Sequence, residues 1–410
     1  MMHRVVITGV GTVNPTGLSV SESWDNIVNG RSGICPITNF DNGDYLVKVA
    51  GEVKHFEPTR YMEAREARRR DRFEQFATAA AQEAMAQSGL QITEENGHQV
   101  AVIVCSSIGG IKAFQDAVRT ILESGPRRVN PFTIPMLMPN GASGLIAIDT
   151  GARGPNFSVA SACASANDSI GQAWLLVASG TMQAAITGGS DATVWEVGIA
   201  SFDRLGAMSH RTESVPQPFD RERDGVVMGE GAGVLIIEAL EHAQARGAEI
   251  LAELAGYSAT SDAYHITAPA EDGVMGSRAM RQAMQLAGIG PDQLGYISAH
   301  GTGTPLNDAA ETKAVKLALG ERAYQVPISS TKSMTGHMMG ATGAIEAIFC
   351  VQTLRTNILP PTINYHTPDP NCDLDYVPNT ARQARVEAVI SNAFGFGGHN
   401  AVLAIKRFSG

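Results

Sequence analysis

The chain has 410 residues and a formal net charge of −10, with 44% hydrophobic and 18% charged residues. That length suits two or three domains or one large α/β unit, and the composition can fill a sizeable core, which excludes disordered, collagen-like and low-complexity chains. The acidity argues against nonspecific nucleic-acid binding, and five cysteines without a CxxC pair argue against a disulfide framework or a cysteine zinc site.

Arg4–Ile7 is a β-branched run before Thr-Gly-Val-Gly, which predicts a first strand and a tight turn rather than a signal peptide. Arg60–Arg72 holds six arginines against three acids. Arg65, Arg68, Arg69 and Arg72 fall three or four apart, so they would share one helical face, either a dock for a negative partner or a solvated ion-paired surface. Asp71–Ser88 predicts a helix. Gln99–Cys105 is an apolar strand ending in Ser-Ser-Ile-Gly-Gly, and Arg127-Arg128 adds a second basic pair.

Further along, Ala164–Ser179 reads as a helix, Ala184–Ile186 and Val234–Ile237 as strands, and Glu241–Arg246 and Gly276–Gly288 as helices. Continuous apolar runs suit strands buried on both faces, and their alternation with helices indicates a layered α/β fold. The longest membrane candidate, Met338–Val351, is too short and contains Glu346. No membrane association is therefore expected, and a cytoplasmic location follows.

No linker divides the chain, but its two parts echo each other. Ala101–Gly110 is similar to Tyr296–Thr304, Ser158–Gly171 to Ile328–Gly343, and Met228–Glu238 to Phe394–Lys406. Three echoes in the same order point to two duplicated βαβ halves, 1–250 and 251–410.

Several motifs fail. Gly9-Val-Gly11-Thr-Val-Asn14 lacks the third glycine of a dinucleotide loop. Ser329-Ser-Thr-Lys332 has no SDN or KTG after it.

Other residues could carry chemistry. Cys163 sits where an apolar strand gives way to a helix, whose free N–H groups and dipole favour a thiolate. The same pattern also fits a buried structural cysteine. His300 and His337 lie on glycine-rich loops after strands, where α/β sheets place ligands. Two neutral imidazoles converging on one oxygen could stabilise negative charge there; spacing alone leaves convergence open. Gly395-Phe396-Gly397-Gly398 fits a hairpin turn or a mobile loop with an aromatic gate.

Together, Ser-Ala-Cys163-Ala-Ser, His300-Gly-Thr-Gly-Thr-Pro, Lys332-Ser-Met-Thr-Gly-His337 and Asn392-Ala-Phe-Gly-Phe-Gly-Gly resemble the β-ketoacyl-acyl-carrier-protein synthases, over essentially the whole chain. Arg221-Glu-Arg-Asp-Gly-Val-Val-Met-Gly-Glu-Gly-Ala-Gly and Ser261-Asp-Ala-Tyr-His265 resemble the elongating synthase II type. The resemblance implies a thiolase-like fold of two duplicated halves in a five-layer αβαβα arrangement, as a homodimer. It implies a decarboxylative Claisen condensation between an acyl group on Cys163 and malonyl-acyl-carrier protein, with no metal and no organic cofactor.

By the same match, the N–H groups of Cys163 and Phe396 form an oxyanion hole, and His300 and His337 hold the malonyl thioester oxygen. Lys332 orients the site with Glu311. Thr302 and Thr304 lie near the malonyl and pantetheine end, Ile108 and Phe202 in the acyl pocket, and Gly395, Gly397 and Gly398 in the loop bearing Phe396. Arg65, Arg68, Arg69, Arg127 and Arg128 would dock acyl carrier protein. A structural cation near Glu346 and Asn392 is a family-level option. His399, Gly303 and Gly206 depart from the family pattern, which bears on chain length and docking. The alternatives are the ketosynthase-α of a type II polyketide system and a noncatalytic chain-length-factor-like partner.

Overall fold

The computed structural model describes residues 2–410. Its strands are, in chain order, β1 (Val5–Val13), the ribbon β2 (Cys35–Pro36) and β3 (Val49–Ala50), β4 (Val100–Cys105), β5 (Asn156–Phe157), β6 (Ala184–Ala192), β7 (Glu230–Ala239), β8 (Ala252–Ser261), β9 (Tyr296–Ser298), β10 (Ile328–Ser329), the ribbon β11 (Ile358–Leu359) and β12 (Arg382–Gln383), β13 (Ala388–Gly395) and β14 (His399–Lys406). Ten of them form one mixed sheet in the order β10-β9-β13-β14-β8-β1-β7-β6-β4-β5.

That order records the duplication. Leaving the ribbons aside, each half places its first strand at the centre of the sheet, then its fifth, fourth, second and third. The pairing senses repeat as well: β1–β7 and β8–β14 are antiparallel, while β4–β5 and β9–β10 are parallel. Two of the three sequence echoes fall on equivalent strands, β4 with β9 and β7 with β14, and the third, Ser158–Gly171 with Ile328–Gly343, spans the turns that lead into the two inner helices. The halves meet along β1 and β8 at only two residue pairs, Val6–Glu253 and Ile7–Ala252.

Helices cover both faces of each half-sheet. The helices Ser165–Ala178 and Thr342–Thr356 lie between the halves, and Ile170, Trp174, Ile348 and Val351 pack there with Ile103, Leu235, Val389 and Leu403. Outside one half, the helix Arg72–Ser88 brings Phe73 and Phe76 against Val102 and Val234. Outside the other, the helices Val274–Leu286 and Pro305–Leu319 bring Met280 and Val315 against Ile297 and Ile390. Helix, sheet, helix, sheet, helix gives the five layers, and burial on both faces explains the continuous apolar runs.

Three strands outrun their predicted lengths. β1 continues through the expected turn to Val13, β6 through Thr187-Gly-Gly to Ala192, and β7 begins at Glu230. In β1 the glycines serve close approach rather than turning. A Cβ on Gly9 would lie 2.2 Å from Ala84 O, and one on Gly11 2.0 Å from Ala80 O. Without side chains there, the helix Arg72–Ser88 can rest directly on the strand.

The basic segment also departs from expectation. It is not one helix. A short helix covers Ala64–Ala67, and a new one starts at Arg72, where Asp71 and Glu74 form a reciprocal capping box. The break turns Arg72 inward to bond Glu230 and Val53 O, while buried Arg70 holds Asp149 at 2.6 and 2.8 Å. Arg65 and Arg68 stay exposed. Arg69 is half-buried, paired with Glu66 and stacked over the Phe132 ring at 4.6 Å.

Candidate active site

Cys163 projects from a tight turn ahead of the inner helix Ser165–Ala178. Ala162 adopts φ +51°, a left-handed conformation that costs a side-chain-bearing residue energy and is retained where surroundings over-determine it. Ser165 Oγ accepts from Ser161 N at 2.9 Å and donates to Ala162 O at 2.6 Å. Ser161 Oγ donates to Asp168, which also accepts from Tyr257 OH at 2.7 Å. On the other side runs the end of β13. A Cβ on Gly395 would stand 2.8 Å from Ser161 O and 3.0 Å from Cys163 N, so only glycine lets the strand pass.

The second inner helix delivers His337. The two inner helices meet at their first turns, where a Cβ on Gly343 would lie 2.4 Å from Asn167 Oδ1. The segment before the second helix is pinned to the stretch leading into β7, His337 N donating to Val227 O and Gly229 N to His337 O, both at 2.8 Å. His337 Nδ1 lies 3.0 Å from Thr342 Oγ1, and Nε2 is buried without a partner.

His300 follows β9. Glu311, buried in the helix Pro305–Leu319, accepts the backbone N–H groups of His300 and Gly301 at 2.8 Å each and Asn392 Nδ2 at 3.0 Å. The outcome is convergence: one ligand atom from each of Cys163, His300 and His337 lies within 4.8 Å of the others. The two imidazole centroids stand 5.3 Å apart, with the rings crossed at 82°.

Burial and charge set the protonation states. Burial holds both imidazoles well below the usual histidine range, and the Lys332 cation pushes the same way. Both are therefore neutral near pH 7. Cys163 keeps some accessible surface, but it faces a cavity. Burial pushes its thiol up to about 11, against Lys332 and the amides of Phe396 and Cys163, which favour the thiolate. The resting thiolate expected from the helix N-terminus is thus overruled by desolvation. A thiol and two imidazoles could also serve as transition-metal donors; the Lys332 charge acting on all three opposes a dication there.

Lys332 does not touch Glu311. Its Nζ lies 2.7 Å from Glu346 Oε1, both groups being buried. Desolvation pushes the Glu346 carboxyl upward against the pull of Lys332. Sequence reasoning noticed Glu346 only as a charge in an apolar run and as a neighbour of a family cation site. It missed Asp191 altogether. That carboxylate accepts Ser106 Oγ at 2.5 Å, Ser107 N at 3.1 Å, Ser107 Oγ at 2.7 Å and Gly340 N at 2.7 Å. Four donors and no acceptor require an acceptor-only side chain, and the bonds tie the His337 segment to the end of β4. Only the motif Gly-Gly-Ser-Asp191 hinted at it.

A cavity of about 310 Å³ opens on the three residues. Phe202, Thr302, Thr304, Glu311, Gly395 and Phe396 line it, together with Phe394 and Met228, which the sequence did not single out. Ile108 is not among its walls and sits half-buried on the turn after β4. Gly397 and Gly398 form the hairpin tip instead. Gly397 N donates to Ile266 O at 2.7 Å and Asp262 N to Gly398 O at 2.9 Å, which fastens the tip to the segment after β8. Gly303 and Gly206 adopt φ of +80° and +71°, which suits glycine there, and the His399 ring flanks Gly397. Arg127 and Arg128 are exposed on a short 3-10 turn.

A duplicated five-layer frame with one cysteine and two neutral histidines at its centre defines a ketosynthase of the thiolase-like fold. The sequence matches the β-ketoacyl synthase N-terminal domain over residues 2–243 and the C-terminal domain over residues 251–366, and the chain belongs to that family. Among its relatives, the 3-oxoacyl-[acyl-carrier-protein] synthase 2 of Synechocystis sp. is 47% identical over 408 residues, 99% of this chain and 98% of that protein. The Staphylococcus aureus (strain COL) protein of the same name is 49% identical over 407 residues, with 99% and 98% covered. Among solved structures, a ketosynthase bound to the hexaketide, in complex with its type II polyketide acyl-carrier protein, superposes with a TM-score of 0.92 at 34% identity, covering 100% of both chains. A β-ketoacyl synthase from Burkholderia phymatum STM815 gives 0.92 at 33%, again covering 100% of both. Among the described residues no helix is long and apolar enough to cross a membrane.

These charges make the sulfur's reactivity pH-dependent in a defined direction. Alkylation of Cys163 by iodoacetamide should keep accelerating as pH rises, with no plateau below about pH 10. In folded Lys332→Ala the rate at pH 8 should drop by about tenfold, as for one unit of thiol pKa. A plateau near pH 7 would show a thiolate already formed at rest.

Proposed function

We propose that the chain is a 3-oxoacyl-[acyl-carrier-protein] synthase that extends fatty-acyl chains by decarboxylative Claisen condensation. The convergence of Cys163, His300 and His337 within 4.8 Å carries this reading. The Cys163 sulfur, deprotonated as it attacks, displaces the carrier thiol from an acyl thioester and becomes acylated. The amides of Phe396 and Cys163, both directed at the sulfur, are placed to receive the oxyanion that forms beside it.

Malonyl-carrier protein then presents its thioester carbonyl to the two imidazoles. Neutral histidines suit this step, because a neutral N–H can donate to developing enolate charge without surrendering a full proton. Loss of carbon dioxide leaves the carbanion, which attacks the acyl-Cys163 carbonyl and expels the sulfur. Departing carbon dioxide supplies the driving force, so the chemistry calls for neither metal nor redox cofactor. Burial keeps both imidazoles unprotonated, and Lys332, paired with Glu346, adds a positive charge that pushes the same way. Thr302 and Thr304 line the cavity, where the pantetheine arm would enter.

Partners follow from surface chemistry. Arg65, Arg68, Arg69, Arg127 and Arg128 offer cationic groups on an acidic protein, which suits an acidic carrier. A second copy of the chain fits the open edge at β5, where Phe157 and Ile148 are exposed and Phe114, Ile121 and Leu122 are also uncovered in the same half. Five free cysteines suit a reducing, cytoplasmic setting. We place the boundary between the halves near residue 250, between the helix Leu240–Ala245 and β8. Identity of 47–49% to the fatty-acid synthases, against 34% to the polyketide ketosynthase, favours the fatty-acid reading over the polyketide one. The presence of all three reacting residues disfavours a noncatalytic partner.

Intact mass after incubation with acyl-carrier protein should show one acyl increment, lost in Cys163→Ser. His300→Ala should still load the acyl group but release carbon dioxide from malonyl-carrier protein at least about a hundredfold more slowly; normal release would remove His300 from its role. Reversing Arg65, Arg68, Arg127 and Arg128 to Glu should raise KM for carrier-bound substrate about tenfold or more while sparing iodoacetamide attack, and an unchanged KM would leave them a solvated face. Sedimentation equilibrium should give twice the 43.2 kDa chain mass; a monomer would refute the pairing.

A further inference from the structure

The two histidines are not held alike. His300 is positioned through its backbone by Glu311, whereas His337 has a side-chain partner, Thr342. Thr342 opens the inner helix Thr342–Thr356 and is 1% exposed. The contact of its hydroxyl with His337 Nδ1, at 3.0 Å, is its one side-chain hydrogen bond among the described residues. On the far side of the ring, Nε2 is buried and unpartnered, in a side chain that lines the cavity beside Cys163.

A neutral imidazole carries one N–H, on Nδ1 or on Nε2. If Nδ1 held the proton it would donate to Thr342 Oγ1, and the threonine's own O–H would be left buried without an acceptor. Buried hydroxyls avoid that state. If Thr342 donates instead, its O–H is satisfied, Nδ1 is the bare acceptor, and the imidazole proton sits on Nε2, the atom without a protein partner.

We propose that the Thr342 hydroxyl donates to His337 Nδ1 and so locks the ring in the tautomer whose N–H points from Nε2 toward the reacting thioester. Thr342 is a positioning residue: it touches no substrate and acts through His337. The inference rests on the condensing reaction proposed above and names the group that prepares one of its two donors. His300 has no such hydroxyl partner, so the lock distinguishes the two imidazoles.

The test uses the full chain with Thr342→Val, which keeps the shape and removes the donor, and Thr342→Ser, which keeps the donor. Long-range ¹H–¹⁵N spectra of ¹⁵N-histidine protein report the tautomer directly. Wild type and Thr342→Ser should show His337 protonated at Nε2, and Thr342→Val a mixture of both forms. Thr342→Val should release carbon dioxide from malonyl-carrier protein about tenfold more slowly while still loading acyl groups on Cys163, and Thr342→Ser should restore the rate. A merely structural role would lower both steps and leave the tautomer alone. Wild-type spectra and decarboxylation in Thr342→Val would overturn the proposal, as would an Nδ1–H ring in wild type. Should His337→Ala decarboxylate normally, the condensing reading itself fails, yet the spectra still decide whether Thr342 sets the tautomer.

Discussion

The two inner helices begin almost in contact, and the site is built outward from that meeting. Gly343 has no side chain because Asn167 Oδ1 occupies the space one would need. Asn167 in turn donates through Nδ2 to Ser391 O and Ala401 O, both at 3.1 Å, one on each strand of the β13–β14 hairpin. One buried amide thereby registers both helices and the hairpin whose end carries Gly395 and Phe396. Cys163 precedes one helix and His337 the other, so the contact that closes the interior also sets the distance between the sulfur and the imidazole. β9, hydrogen-bonded to β13, brings His300 alongside.

Around that centre, buried charges divide the work. Glu311 clamps the backbone of the His300 loop. Asp191 clamps the His337 segment. Glu346 holds Lys332, whose charge reinforces the burial that keeps both imidazoles neutral. Removing one member of a buried ion pair costs about 3–5 kcal/mol, whereas a well-packed apolar replacement of both can be neutral. The Lys332–Glu346 pair therefore needs a reason beyond stability, and the neutral histidines provide one.

The frame and the chemistry are separable. Solved ketosynthases at 33–34% identity share the whole arrangement, with TM-scores of 0.92. Here the cavity wall includes Phe202, Met208, Met228 and Met339. Thioether side chains adapt their shape to what they enclose, which suits a chain that lengthens from one cycle to the next.

The sequence by itself determined the layered α/β class, the duplication and the identities of Cys163, His300, His337 and Lys332. Period and burial leave marks in local composition, and a duplicated gene leaves its echo at equivalent strands. Only the tertiary structure decided which partners these residues have. Lys332 reaches Glu346, fourteen positions on, rather than Glu311, because the helices that carry the two acids face different sides of the site. Arg72 turns to Glu230 once Asp71 starts a new helix, so the basic face is shorter than its spacing promised. Glycines that looked like turns lie inside strands, because what they make room for is a helix some seventy residues away in the chain. Asp191 and Thr342 stood out little because an acid and a hydroxyl in small-residue segments carry a weak local signal; their partners, Ser106, Ser107 and Gly340 for the one and His337 for the other, are fixed only by the folded backbone.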